Sequence, residues 1–412
     1  MAGGHNVIPL QAHPRARAHG EAGAALDVVA QLFDQLGHDA TLPPAVRAEL
    51  ARLRVPALRA AQVSPDVLVS RGHPTRHLVD AIGAAALGLD ENAAETDSTV
   101  QAIATAVHTV LEGFEADLAP FDNAASFLED FVADRARAED AAARPMVQAI
   151  VQRETADLPR RAAQEEVSRR VRSRLWIPPP VRAMLDGPWV TALAGAYRDQ
   201  GEGSDAWHSL VRTMDDLLWS VEPKASAEGR RQHLGQALVE ALAAGLQRAQ
   251  VADAERDDFL SALVDCHAQA MKSGLRGLAL VPDREASTPA APPAFTTTTF
   301  DAGPRRVESI RLAAAPGTTA DRSDEIVLRI RIGAWIEMER GGRVAARKRL
   351  AWMSPLTGVF LFVGLAPESI GVAITPEALA EKLRREEARL LDPSSLVERT
   401  LASLVVRLAP QG

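Results

Sequence analysis

Apolar residues recur every three to four positions over most of the chain, the period of a helix with one buried face. Leu26, Val29, Phe33 and Leu36 predict a first helix over residues 22–37. Leu42-Pro43-Pro44 opens a second, with the stripe Val46, Leu50 and Leu53, because proline suits a first turn whose N–H has no partner in any case. Ser64-Pro65 and His73-Pro74 predict two further starts, the latter leading into Leu78, Ile82 and Leu89. Asp97-Ser98 caps a helix through Val107 to Phe114. From Asn123 to Arg174 the pattern is nearly unbroken, anchored by Phe127, Phe131, Met146 and Ile150, with a kink or break predicted at Pro159. Beyond Trp176-Ile177-Pro178-Pro179-Pro180 come a helix with Met184, Trp189, Leu193 and Tyr197 and another with Trp207, Val211, Met214, Leu218 and Trp219. This Trp-rich pair reads as packed core, and helices near 226–248 and 253–275 follow it.

Toward the end the period falls to two. Ile326, Leu328, Ile330 and Ile332 alternate with Val327, Arg329, Arg331 and Gly333, which predicts a strand with one face on a core. Trp335 to Met338 extend it, and Gly341-Gly342 provide a hairpin turn. Arg347–Met353, Val359–Val363 and Val372–Ile374 are the next predicted strands. Thr375-Pro376-Glu377 caps a helix through Leu391, and Pro393-Ser394 starts one through Leu408. The predicted class is mostly α, a multi-helix N-terminal body with a small C-terminal antiparallel β domain. Its predicted parts are a flexible arm (1–20), an all-helical domain (21–281), a Pro/Thr-rich linker (282–304) and a β domain with C-terminal helices (305–412).

Composition narrows the partners. Of 412 residues 47% are apolar but only 4% aromatic, an Ala- and Leu-rich balance that favours helices. The net charge of -8 argues against nucleic acid as a partner. Residues 301–412 carry 17 basic and 14 acidic side chains, net +3, leaving 29 and 40, net -11, for residues 1–300. One cysteine, Cys266, rules out an internal disulfide and a cysteine-built zinc site, and fits a cytoplasmic setting. No apolar run is long enough to predict membrane insertion.

Candidate chemistry concentrates in one stretch. Arg343, Arg347 and Arg349 alternate along a predicted strand, and Arg329 and Arg331 lie on the preceding one, so a basic surface follows, with the turn Ser354 to Gly358 at its mouth. Guanidinium groups offer paired donors suited to an anion. Elsewhere, His73 and His77 have the i, i+4 spacing of two metal ligands, but Pro74 puts His73 at a cap. Cys266-His267 are neighbours in sequence and so point to different helix faces. Asp215-Asp216 and Asp257-Asp258 read as solvated acidic pairs. Gly201-Glu202-Gly203 lacks the third glycine and the preceding strand of a phosphate loop.

The runs LWIPPPVRAMLDGPWV, MDDLLWSVEPK and RLAWMSPLTGVFLF resemble a proteobacterial family, domain-of-unknown-function family 1631, from about residue 40 onward. Its members are usually longer, and some are labelled thymidine phosphorylase, a label that no motif of this sequence supports. The end domain is similar to PilZ-type barrels, which bind cyclic diguanylate through an Arg-x-x-x-Arg element and an Asp/Asn-x-Ser-x-x-Gly element. Ser354 and Gly358 match the second at its turn, but with three residues between them and Trp352 in the acidic position; Arg343 and Arg347 have the first element's spacing but follow the first predicted strand.

The expectation is a cytoplasmic, non-enzymatic regulatory or adaptor protein that binds a protein partner and needs no cofactor. Cyclic diguanylate is a candidate ligand at Arg329, Arg331, Arg343, Arg347, Arg349, Ser354 and Gly358. The alternative is an enzyme, a metal-dependent hydrolase or transferase, with a site between helices of the acidic body using His73, His77 or Asp215.

Overall fold

The computed structural model describes residues 16–67, 70–90, 93–115, 117–223, 235–275, 294–313, 321–340, 343–344, 347–365, 369–391 and 395–408. They form two compact units, one of residues 1–149 with 293–412 and one of residues 150–292. The second unit is therefore an insertion in the first.

The first unit begins with α1 (Ala16–Gly37), α2 (Pro44–Arg52), α3 (Arg54–Val63), α4 (Pro74–Ala86), α5 (Ser98–Gly113) and the opening part of α6 (Ala119–Arg172). Val29, Leu32 and Leu36 of α1, Leu78 and Ile82 of α4, Ile103 and Val107 of α5 and Leu128 of α6 share one core. Local chemistry fixes the starts. Asp97 accepts the Thr99 N–H at 2.7 Å, and Pro44 and Pro74 occupy first turns, as expected. Ser64-Pro65 starts no helix: Ser64 ends α3, and residues 65–67 are a turn.

The chain returns to this unit in β1 (Phe295–Ala302), β2 (Arg305–Leu312), α12 (Arg322–Arg329), β3 (Trp335–Arg340), β4 (Arg343–Val344), β5 (Lys348–Met353), β6 (Phe360–Val363), β7 (Gly371–Ile374), α13 (Pro376–Arg384), β8 (Ala388–Leu390) and α14 (Leu396–Leu408). The sheet runs β1-β2-β7-β6-β5-β3-β4, with β8 also on β3. All pairs are antiparallel except β2 with β7, so the sheet is mixed, and its path has two ends among the described residues instead of closing as a barrel. Phe360 and Phe362 of β6 face a core with Ile336, Leu350 and Leu379. Leu361 and Val363 are buried as well, so both faces of β6 are covered. A Cβ on Gly371 would stand 2.6 Å from Met146 Sδ and 3.4 Å from Leu361, which places α6 against the second face.

Four expectations are corrected here. The alternating run at 326–332 is not a strand: α12 covers 322–329, and only Val327 of it is buried, while Leu328 is 79% exposed. The cause is a capping box, Asp321 accepting from the Ser323 and Asp324 N–H groups while Asp324 accepts from Asp321, which commits the chain to a helix. The predicted linker 282–304 contains β1, because its Phe-Thr-Thr-Thr-Thr-Phe run is β-branched and aromatic; residues 276–293 lie outside the described residues. The helix from Pro376 stops at Arg384, and β8 occupies part of the remainder. The predicted boundary between a helical domain and an end domain also falls elsewhere, since Leu396 and Val397 of α14 belong to the core built by α1 to α6.

The second unit holds the rest of α6, α7 (Pro179–Met184), a single π turn (Leu185–Trp189), α8 (Val190–Gln200), α9 (Asp205–Ser220), α10 (Gln236–Arg248) and α11 (Asp253–Leu275). Pro145 and Pro159 both lie inside α6 without ending it. Most of the Trp-rich pair is core as predicted, Trp189 and Trp207 being buried with Leu193, Met214 and Leu217, but Trp219 is exposed. Gly245 of α10 gives the Trp189 ring its room, since a Cβ there would stand 2.5 Å from the ring.

Candidate functional site

Among the described side chains the predicted basic surface does not assemble. Arg329 is on α12, 3.8 Å from Glu325, and Arg331 lies in the turn after it, donating to the Ile330 carbonyl at 3.2 Å. Arg343 is on β4, and its side chain lies outside the described residues. Arg347 and Arg349 are buried and committed to the fold. Arg347 Nε donates to Glu337 at 2.8 Å and its terminal nitrogen to the Thr41 carbonyl, before α2, at 3.1 Å. Arg349 Nε donates to Glu139 of α6 at 2.8 Å, and its outer nitrogen reaches Asp140 and the Ala136 carbonyl. Burial alone would raise the Glu337 pKa, but hydrogen bonds from Arg389 and Arg347 hold it below the ordinary value. These arginines fasten the sheet to the N-terminal helices; they present no free forks to an anion.

Ser354 and Gly358 do form the expected turn. The Ser354 hydroxyl accepts from the Leu356 and Thr357 N–H groups at 3.1 and 3.2 Å, and Gly358 N–H donates to the Ser354 carbonyl at 3.0 Å. Gly358 has φ +72°, a conformation that explains glycine there.

The histidines of α4 separate in role. His73 is buried at the N-cap, its Nδ1 accepting the Thr75 N–H at 3.2 Å, and burial lowers its pKa. His77 faces α6, with Nε2 2.8 Å from Glu129 and Nδ1 3.5 Å from Asp122; the hydrogen bond to Glu129 is the main cause of its raised pKa. Asp215 lies in the second unit, 2.7 Å from Arg170. Cys266 is buried there, its thiol pKa raised by burial, and His267 is 2.9 Å from the Ser220 hydroxyl. Among the described residues no group of three or more His, Cys, Asp or Glu is placed to hold a metal ion, and no helix is long and apolar enough to cross a membrane.

What the sequence reading missed is a groove of about 520 Å³ in the first unit, between α4, α6 and the start of α14. The helical period builds it. Ala81 and Ala84 of α4, with Leu87 just past its end, face Leu128, Val132, Ala133 and Ala136 of α6, giving an apolar floor of mostly small side chains. The rim carries His77, Asp80, Glu129, Ser395 and Arg399. Asp80 locks the third wall: its Oδ1 accepts from the Ser395 hydroxyl at 2.7 Å and the Val397 N–H at 3.0 Å, capping α14. Arg76, buried beside it, lies 3.6 Å from Asp80 and 2.9 Å from Glu398. Gly83 lets α14 come close, since a Cβ there would stand 2.6 Å from Leu396 Cβ. The alanine spacing on α4 and α6 was visible in sequence, but nothing local joins these helices to Arg399.

Two models of one family match the chain. That described as Protein of unknown function (DUF1631) 2nd domain covers residues 6–117, and that of the third domain covers residues 149–264. The first includes α4; the α6 and α14 walls of the groove and the whole sheet lie outside both. No curated protein and no solved structure matches.

Proposed function

The chain belongs to the DUF1631 family of proteins of unknown function, and we propose that it is a non-enzymatic regulatory or adaptor protein that grips a protein partner in the groove between α4, α6 and α14. The observation that carries this reading is the division between floor and rim. The floor is apolar and built mostly of small side chains, as suits the side chains of an incoming amphipathic helix. Most charged groups of the rim are tied into the fold, His77 to Glu129 and Asp80 to Arg76 and the α14 cap, so they shape the groove. Cytoplasmic location is part of the proposal and rests on a lone, buried cysteine.

Cyclic diguanylate is not the ligand we propose. Arg347 and Arg349 already satisfy carboxylates at 2.8 Å, and an incoming phosphate would have to displace them. In this reading the likeness to PilZ-type domains concerns the shape of the Ser354–Gly358 turn.

The test places a photoreactive residue at Ala84, an exposed residue lining the groove, in the full chain. A partner captured there is purified and its affinity measured. Filling the groove with Ala133→Trp is expected to weaken binding at least tenfold, with unchanged circular dichroism. Equal affinity for the two proteins refutes the groove as the docking site.

A further inference from the structure

We infer that Arg399 makes this groove selective for an acidic side chain, so that the partner segment presents a carboxylate beside its apolar face. The inference rests on the partner-binding reading and deepens it. The ionisable side chains that line the groove are His77, Asp80, Glu129 and Arg399. His77 and Glu129 are paired at 2.8 Å, with Asp122 3.5 Å from the other ring nitrogen. Asp80 is matched by Arg76 and by the N–H and hydroxyl donors at the start of α14. Arg399 is left over: among the described residues its guanidinium has no carboxylate partner, and its bonds are made by the backbone, the N–H to the Ser395 carbonyl at 3.0 Å and the carbonyl accepting from the Ser403 hydroxyl at 3.0 Å.

Position sharpens the point. Arg399 stands in the first turn of α14, where the helix dipole disfavours a cation, so helix stability gives no reason for arginine there. It is half-buried at the edge of a floor made by Ala81, Ala84, Leu128 and Val132. A guanidinium with an apolar wall on one side meets less competing water, and its fork pairs with a carboxylate through two parallel hydrogen bonds. The groove thus shows one guanidinium without a carboxylate partner among the described residues, next to an apolar surface, and its complement is one carboxylate next to an apolar body. A glutamate or aspartate at the border of a helix's apolar face has that form.

The probes are sodium octanoate, octylammonium chloride and 1-octanol, titrated calorimetrically into the full chain and into Arg399→Gln and Ala133→Trp. Octanoate is expected to bind at least tenfold more tightly than the other two. Arg399→Gln should erase that preference while leaving octanol binding in place, and Ala133→Trp should abolish binding of all three. Equal binding of octanoate and octanol by the unaltered chain overturns the acid preference and leaves the groove standing. An octanoate preference that survives Arg399→Gln assigns it to another cation and also overturns the inference. Binding untouched by Ala133→Trp, or none at all, removes the groove itself. Octanoate that binds through Arg399 without displacing the captured partner would assign the site to a free aliphatic acid and overturn the partner's carboxylate.

Discussion

Replacing Arg349 by methionine tests whether the sheet is fastened to α6 by a buried ion pair. Arg349 and Glu139 are 2.8 Å apart with side chains 9% and 10% exposed, so neither is well hydrated. Removing one member of such a pair strands the other, at a cost of about 3–5 kcal/mol. Two features pull the value toward the lower end. Arg135 remains 3.6 Å from Glu139, and Asp140, the second acceptor, is 53% exposed and rehydrates readily. We expect about 3 kcal/mol for Arg349→Met. Adding Glu139→Gln removes the stranded charge, so the double variant should be more stable than the sum of the single effects implies, by about 2 kcal/mol. Urea unfolding of 5-fluorotryptophan protein followed by fluorine NMR reads this directly, because Trp335 and Trp352 are the tryptophans of the first unit and Trp335 pairs with Arg349 across the sheet. A single-variant cost below about 0.5 kcal/mol, or strict additivity, would refute the fastening role.

Gly88→Ala should destabilise the first unit by about 1–3 kcal/mol, since its Cβ would run into the rigid Trp335 ring and stand 2.9 Å from Leu365; Gly371→Ala should cost less, because the Met146 thioether it meets can turn aside. The two histidines of α4 oppose one another with pH. His77, with a raised pKa, contributes stability present below about pH 6.5 and lost as pH rises through its folded value, so His77→Gln should flatten the upper part of the stability profile. His73, with a lowered pKa, acts the other way, and His73→Asn, which keeps a cap, should reduce the loss of stability as pH falls below about 6.5. Asp321, brought to about 2 mainly by the Arg384 hydrogen bond, contributes stability present above about pH 3.8 and lost as pH falls toward 2; Asp321→Asn should remove that slope in acid unfolding.

The sequence revealed most of what local chemistry decides. Caps at Asp97 and Thr375, prolines at first turns, the Trp-rich core and the strands around Leu350, Phe362 and Val372 follow from spacing and turn residues within reach of one another. It misled where two local signals competed. At 326–332 the alternation points to a strand, while the Asp321-x-x-Asp324 capping box just upstream, equally local, decides for a helix. Polar partners were out of reach of any local rule: Arg347 meets a carbonyl 306 positions away, and Arg349 a carboxylate 210 away. A row of arginines looks alike whether it awaits an anion or already holds a glutamate. The groove was hidden for the same reason, its third wall arriving from the far end of the chain.

That late arrival has a consequence for biosynthesis. About 280 residues separate Gly113, where α5 ends, from Leu396, where α14 begins. At 5–20 residues per second a ribosome needs roughly 15–60 s to cover that distance. Throughout the interval the nascent helices wait with the surface around Gly83 uncovered and Asp80 without the helix it caps. The inserted unit, continuous in sequence, emerges whole in that time, so the later-made unit is free to mature first. A protease or chaperone acting during synthesis would therefore find its target in the earliest part of the chain.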